Sequence, residues 1–241
     1  MSTDIDFGGG DFTTTRWSLV RQLDSPRAGV AHDALAELSL RYWYPTYAYV
    51  RHCGHAPAAA QDITRTFLQQ LIRQFRADPP SPHSRFRAYL LARLHAFLVA
   101  PWHELIDSDT SELGPVPVEL EERMRREHAE TESPEQAYQR SFALEMLARG
   151  FTRLRNEAAR TGHVDMYEAL EPFLARDPAP GEYQELAERL GSRPVAMVAA
   201  LKRLRQRFRE LVAEELADTV ATPEEMVDEQ RVMLAAMDAR R

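Results

Sequence analysis

The sequence predicts an all-α protein, two helical domains joined by an acidic linker, and three observations predict it. Apolar residues recur at helical spacing in almost every segment after Thr14, and nothing in residues 1–106 reads as a convincing strand. Residues 107–133 are polar and acidic with prolines near their start, which separates an N-terminal group of helical segments from a C-terminal one. Residues 181–216 have the spacing of a helix-turn-helix: a short helix, a tight turn and a longer helix.

Residues 1–12, with a glycine triplet and several acids, read as a disordered arm. The string TTTRWSLVRQL sets hydroxyls before Trp17, Val20 and Leu23, the pattern of an N-capped helix, and Pro26 and Gly29 break it. The next helix carries Ala34, Leu35, Leu38, Tyr42, Tyr49 and Val50 on one period; Pro45 kinks or divides it and Gly54 closes it. Pro57 opens a helix whose buried face is Ile63, Phe67, Leu71 and Phe75, which turns Asp62, Thr66, Gln69 and Arg73 outward. After the turn-rich DPPSPHS, FRAYLLARLHAFLVAPW forms a further apolar helix that Pro101 ends. The first domain is therefore 13–106.

A short helix from Glu119 to His128 fits inside the linker. Ser133 caps the helix that follows, with Pro134 at its first position, and DMYEALEPFLA is a shorter helix. The second domain is 134–216. The tail, 217–241, restarts with a capped helix at Thr222 and Pro223.

In the helix-turn-helix, Tyr183, Leu186, Ala187 and Leu190 share one face, followed by Val195, Val198, Leu201, Leu204, Phe208 and Leu211. Gly191 falls where the turn needs positive φ or no Cβ, Ser192 is the expected cap of the second helix, and Pro194 suits its first turn. Arg193, Lys202, Arg203, Arg205, Arg207 and Arg209 lie in a stretch without an acid. So basic a helix beside a packed partner suits a DNA major groove and its phosphates. The plainer alternative is a solvated face on an ordinary helical pair, and Lys202 is the chain's only lysine, so arginine is its default basic residue.

The formal net charge of −7 does not exclude a nucleic-acid partner, because the acids lie mainly between Glu104 and Glu135 and after Glu214. A hydrophobic fraction of 44% is enough for real cores. The single cysteine, Cys53, excludes an intramolecular disulfide and fits a reducing compartment. No basic-then-apolar segment opens the chain, and the most apolar run, Tyr89 to Trp102, is broken by Arg93, His95 and Pro101. A cytoplasmic location without a membrane partner is expected.

The strings TTRWSLV, RYWYPTYAYVR, FRAYLLARLHAFL, ELAERLG and KRLRQRFRELVAEELADTV, in this order, resemble the bacterial extracytoplasmic-function sigma factors. They are most similar to the branch that opens with TTRWS and carries a C-terminal extension. The likeness runs from about Thr13 to the C-terminus. It implies a non-enzymatic factor that directs RNA polymerase core, through the clamp of its beta-prime subunit, to promoter DNA. Residues 13–106 would bind the clamp and melt the −10 element, and residues 134–216 would read the −35 element. Asp62, Thr66, Gln69 and Arg73 would then meet polymerase. Arg193 is placed for base edges and Lys202, Arg203 and Arg207 for phosphates, with Met197 also among the DNA-binding residues. Val195, Val198, Leu201 and Leu204 are expected in the core.

Two departures from the family pattern matter. Where the clamp-binding helix of that family carries several carboxylates, this chain has Ala58, Ala59, Gln61 and Thr66 and keeps only Asp62. A phosphate on Thr66 would restore about −1.5 to −2 charges, so a Ser/Thr protein kinase is an expected partner, with Thr64 the second-choice site. The stretch after FRAYLL has Ala96 at the family's asparagine position, leaving Arg85, Arg87, Arg93, His95 and Trp102 for single-strand contact. A different class of function, a sigma-like decoy or adaptor or a DNA-binding regulator that does not support initiation, is the alternative.

Other patterns point to packing. His52, Cys53 and His55 match no zinc spacing and are expected to be a helix-end cluster. Of Trp17, Tyr42, Trp43, Tyr44, Tyr47 and Tyr49, most are expected to pack inward rather than stack on bases. No Ser–His–Asp or paired-carboxylate pattern is present. No enzyme activity, cofactor or metal is expected.

Overall fold

The computed structural model describes residue 22, residues 28–75, 86–100 and 115–217, and residues 224, 226–228 and 231. Every regular element among them is helical: α1 (Ala28–His52), α2 (Pro57–Phe75), α3 (Phe86–Val99), α4 (Val118–Glu127), α5 (Pro134–Thr161), α6 (Val164–Leu170), a 3-10 turn (Glu171–Phe173), α7 (Glu182–Arg189) and α8 (Pro194–Ala217). The all-α expectation holds for these residues, and no helix among them is long and apolar enough to cross a membrane. Trp17 and the arm lie outside the described residues. α1 runs through Pro45 undivided.

Two compact units meet between Met146 and Leu147, inside α5. α1 to α4 and the first half of α5 form the N-terminal unit; the rest of α5, α6, α7 and α8 as far as Glu215 form the C-terminal unit. Composition alone puts residues 107–133 in a linker and starts the second domain at 134. Residues 118–146 instead belong with the N-terminal unit, and side chains on α4 show why. Glu121 accepts a hydrogen bond from the Tyr47 hydroxyl and pairs with Arg51 Nη2 at 3.0 Å. Arg123 lies over the Tyr44 ring, 3.6 Å from its centroid, and reaches Glu145 at 2.7 Å. One of the acids that make the stretch look like a linker, Glu121, thus fastens it to α1 together with Arg123.

In the N-terminal core, Tyr42 is wholly buried, edge-on to Phe86 at 5.3 Å and stacked on Phe142 at 5.4 Å. Tyr44, Tyr47 and Tyr49 are buried as well, so the aromatic cluster of α1 packs inward, with Trp43 half-buried. Ile63, Phe67 and Leu71 form the expected inner face of α2. α5 starts as its sequence predicts: Ser133 Oγ accepts from Gln136 N–H, and Gln136 Oε1 accepts from Ser133 N–H, a reciprocal capping box.

The C-terminal unit closes around Leu170, Phe173, Leu186, Ala187, Met197 and Leu201, continuing to Leu154, Tyr167 and Leu211. α5 and α8 approach closely at Gly150, where a Cβ would stand 2.7 Å from Val212 Cγ2 and 3.1 Å from Phe208 Cε2. Gly150→Ala gains about 1 kcal/mol of helix propensity but overpacks a β-branched neighbour that cannot swing away, at about 1–3 kcal/mol. A net loss of stability in urea unfolding is the expected result; a gain would mean that the two helices separate easily.

Candidate nucleic-acid interface

α7 ends in a Schellman turn. Leu190 is its last half-helical residue, Gly191 follows at φ 59°, and Ser192 N–H donates to Ala187 O at 2.8 Å while Gly191 N–H reaches Glu188 O at 3.3 Å. A side chain at Gly191 would meet no neighbour, so backbone conformation alone is what asks for glycine there. Ser192, expected as the cap of the second helix, is spent on closing the first. Arg193 takes the position before α8, its carbonyl accepting from Ala196 N–H at 2.9 Å and Met197 N–H at 3.2 Å. That places an exposed arginine at the start of the second helix.

The rotation of α8 differs from its apolar periodicity at its start. Val195 is 80% exposed and Val198 47% exposed, whereas Met197 is fully buried and Leu201 nearly so. The expected core positions Val195 and Val198 therefore face solvent, and Met197, expected among the DNA-binding residues, is core. The reason is α8's inner line, Met197, Leu201, Leu204 and Phe208, which seats on α6, the 3-10 turn and α7. Helix geometry then turns Val195, Val198 and Lys202 the other way.

The basic residues of α8 divide into two sets. Arg205 donates to Phe173 O at 2.7 Å and Arg176 O at 2.7 Å and pairs with Asp177 at 2.8 Å, so it holds the 3-10 turn in place. Arg207 grips Glu157 with two bonds, 2.7 and 2.9 Å, and reaches Glu210 at 3.1 Å and Glu214 at 3.3 Å. Those hydrogen bonds hold the Glu157 carboxyl below the usual range and raise the Arg207 guanidinium. Arg207, expected at a phosphate, is thus committed to joining α5 and α8. Arg193, Lys202 and Arg203 are exposed, and no carboxylate pairs with them among the described residues. Along α8, Val195, Val198, Lys202 and Arg203 are all exposed, so cations and methyl groups stand together at its surface.

On α2, Thr66 is half-buried and Gln69 exposed, while the Arg73 side chain lies outside the described residues. Asp62, expected to point outward, is 4% exposed and lies 3.8 Å from Arg65. The wheel misplaces it because α2 is buried over a wide arc in this half: Ala59, Ala60, Gln61 and Thr64 are buried with Ile63. Thr64 is fully enclosed and its hydroxyl has no hydrogen-bond partner.

On α3, Arg87 is buried against Phe142, 5.2 Å from the ring centroid, and so is unavailable for the strand contact expected of it. Arg93 lies over Tyr89 and lines a pocket of about 230 Å3 with Phe67, Leu71, Ala96 and Phe97. His95 is exposed; Arg85 and Trp102 lie outside the described residues.

One constellation escapes sequence reading. His52, His128 and Glu132 converge, their ligand-type atoms all within 4.8 Å of one another. His128 Nδ1 meets Glu132 Oε2 at 2.8 Å, its Nε2 meets Ser141 Oγ at 3.0 Å, and Arg140 Nε donates to Glu132 Oε1 at 2.5 Å. Burial lowers the His128 pKa and favours neutral imidazole. His52 is separated from the other two by most of the N-terminal unit, so no local spacing could have announced the group.

No protein-family model, no curated protein and no solved structure matches this chain.

Proposed function

We propose that this protein is a DNA-binding initiation factor of the extracytoplasmic-function sigma type, reading duplex DNA with the outer face of α8. The observation that carries the reading is that face itself. Arg193 is exposed at the helix start, where a guanidinium would suit a bidentate contact with guanine, Val195 and Val198 present methyl surface suited to thymine methyls, and Lys202 and Arg203 are exposed cations with no carboxylate partner among the described residues. Base readout is one use for the exposed methyl groups of Val195 and Val198. The pocket between α2 and α3, where Gln70 and Arg93 join Phe67, Leu71 and Phe97, would suit an unstacked base of a melted strand.

Salt dependence tests the division of the cations. Lys202→Ala should reduce the slope of log K against log salt by about 0.9, the release of one counterion. Arg207→Ala should leave the slope unchanged while lowering stability, because its partners are Glu157, Glu210 and Glu214. An equal fall in both slopes would place phosphate against Arg207 and contradict the assignment.

Control rests on Thr66. Among the described residues α2 offers little negative charge to a basic partner: Asp62 is buried beside Arg65, and Arg65, Thr66, Gln69 and Gln70 are the side chains of its middle that reach the surface. Phosphorylation of Thr66 by a Ser/Thr kinase would supply the missing anion, which strengthens steering toward arginines on the polymerase clamp. Thr64, enclosed, is not a substrate. Thr66→Glu is expected to bind core RNA polymerase at least tenfold more tightly than Thr66→Ala, roughly 1.4 kcal/mol, in binding measured at one salt concentration. Equal affinity of both variants and of kinase-treated protein would discard the switch.

A further inference from the structure

We infer that His52, His128 and Glu132 form a zinc-binding site that fastens the loop after α4 to the end of α1. The site lies outside the proposed interface and does not depend on the function proposed above. Two imidazoles and one carboxylate are a ligand set that zinc takes with its remaining position open to water. The three residues meet in a pocket of about 330 Å3 that Arg51, Glu121, Met124 and Arg125 also line, room enough for an ion and its water.

The groups around the three are arranged as ligand supports. His52 Nδ1 lies 2.9 Å from Ala48 O, so that nitrogen carries the proton and Nε2 keeps its lone pair. With the ion on Nδ1 of His128, the nitrogen that faces Glu132, the other nitrogen can donate to Ser141 Oγ. Arg140 holds the Glu132 carboxylate through Oε1 and leaves Oε2 turned to His128. Zinc bonds of about 2.0–2.1 Å need ligand atoms roughly 3.3 Å apart. The 2.8 Å contact between His128 and Glu132 must open by about half an ångström, and the proton between them passes to the other ring nitrogen, so that the imidazole stays neutral and donates to Ser141 Oγ. His52 sits on the last turn of α1, within 4.8 Å of the other two ligand atoms, so closing on an ion needs a shift of about 1.5 Å or less.

Cys53 stands next to His52, yet it is not one of the convergent groups. It is exposed, and partial desolvation with Glu135 nearby pushes its thiol up to about 11. That makes it a control: a site assembled by chance around an exposed thiol would need it, and the proposed site does not.

The test is titration of the full-length metal-free protein with Zn2+, followed by calorimetry and by thermal unfolding, with Co2+ as a spectroscopic probe. One equivalent is expected to bind, and Tm should rise by several degrees at about a hundredfold excess over Kd. Co2+ should give visible ligand-field bands without an intense near-ultraviolet thiolate band. His52→Ala and His52→Gln, the latter able to keep a bond to Ala48 O, should each weaken binding by about tenfold or more, and Cys53→Ser should not change it. His52 is half-exposed, and circular dichroism checks that both variants fold. Absence of stoichiometric binding, undiminished binding by both His52 variants, or a thiolate band lost in Cys53→Ser would each overturn the site.

Discussion

Leu201→Ala is expected to cost about 2–5 kcal/mol of stability, while Val198→Ala, on the same helix, changes it by less than about 0.5 kcal/mol. Leu201 is 1% exposed and lies among Leu170, Phe173, Leu186, Ala187 and Met197, so truncation loses transfer free energy and leaves a cavity. Val198 is 47% exposed, and alanine is the better helix former, which offsets what little contact is lost. The two substitutions remove similar apolar groups from one helix, and only its rotation decides between them. Urea unfolding followed by far-ultraviolet circular dichroism measures both. Equal losses would mean that α8 turns Val198 inward, and the reading face would then have to be redrawn.

Arg193→Ala is expected to cost about 1–3 kcal/mol of discrimination between the cognate duplex and a random one, with little effect on stability. The residue is exposed, its carbonyl caps α8, and neither function of the backbone depends on its side chain. Arg193→Lys separates charge from geometry: it should restore most binding to random DNA and little of the preference, because an ammonium cannot make the paired contact of a guanidinium. Competition binding with the two duplexes at fixed salt is the measurement. Equal loss on both duplexes from Arg193→Ala would reduce this arginine to a phosphate contact.

Helix positions were legible where period and caps agree. Ile63, Phe67 and Leu71 are inward as their spacing requires, Ser133 and Gln136 close on each other, and Gly191 takes its positive φ. Val195 and Val198 were not legible, because apolarity permits burial without requiring it. The turn at Gly191 and the docking of Met197 set the phase of α8, and both are tertiary facts. Asp62 misled for a related reason: a helical wheel assumes one buried stripe, and α2 is enclosed over a wider arc. The arginines show the limit of counting charges. Arg205 and Arg207 look in sequence like Lys202 and Arg203, and only partners on α5 and beyond Phe173 withdraw them from solvent. The same holds for α4, whose acids read as linker although one of them, Glu121, anchors it to Tyr47 and Arg51. His52 and His128 meet across a separation that no periodicity spans.

Whether this protein gives RNA polymerase its promoter choice, as proposed above, is decided by reconstituted initiation. Core polymerase would be combined with the wild-type protein, with kinase-phosphorylated protein, or with Thr66→Glu, on a promoter selected by its own DNA binding, and run-off transcripts would be measured. Transcripts are expected to require the protein, to increase with the charge at Thr66 and to fall away with Arg193→Ala. Tight binding to DNA or polymerase with no transcript under any of these conditions would contradict it, and would make the protein a decoy or adaptor.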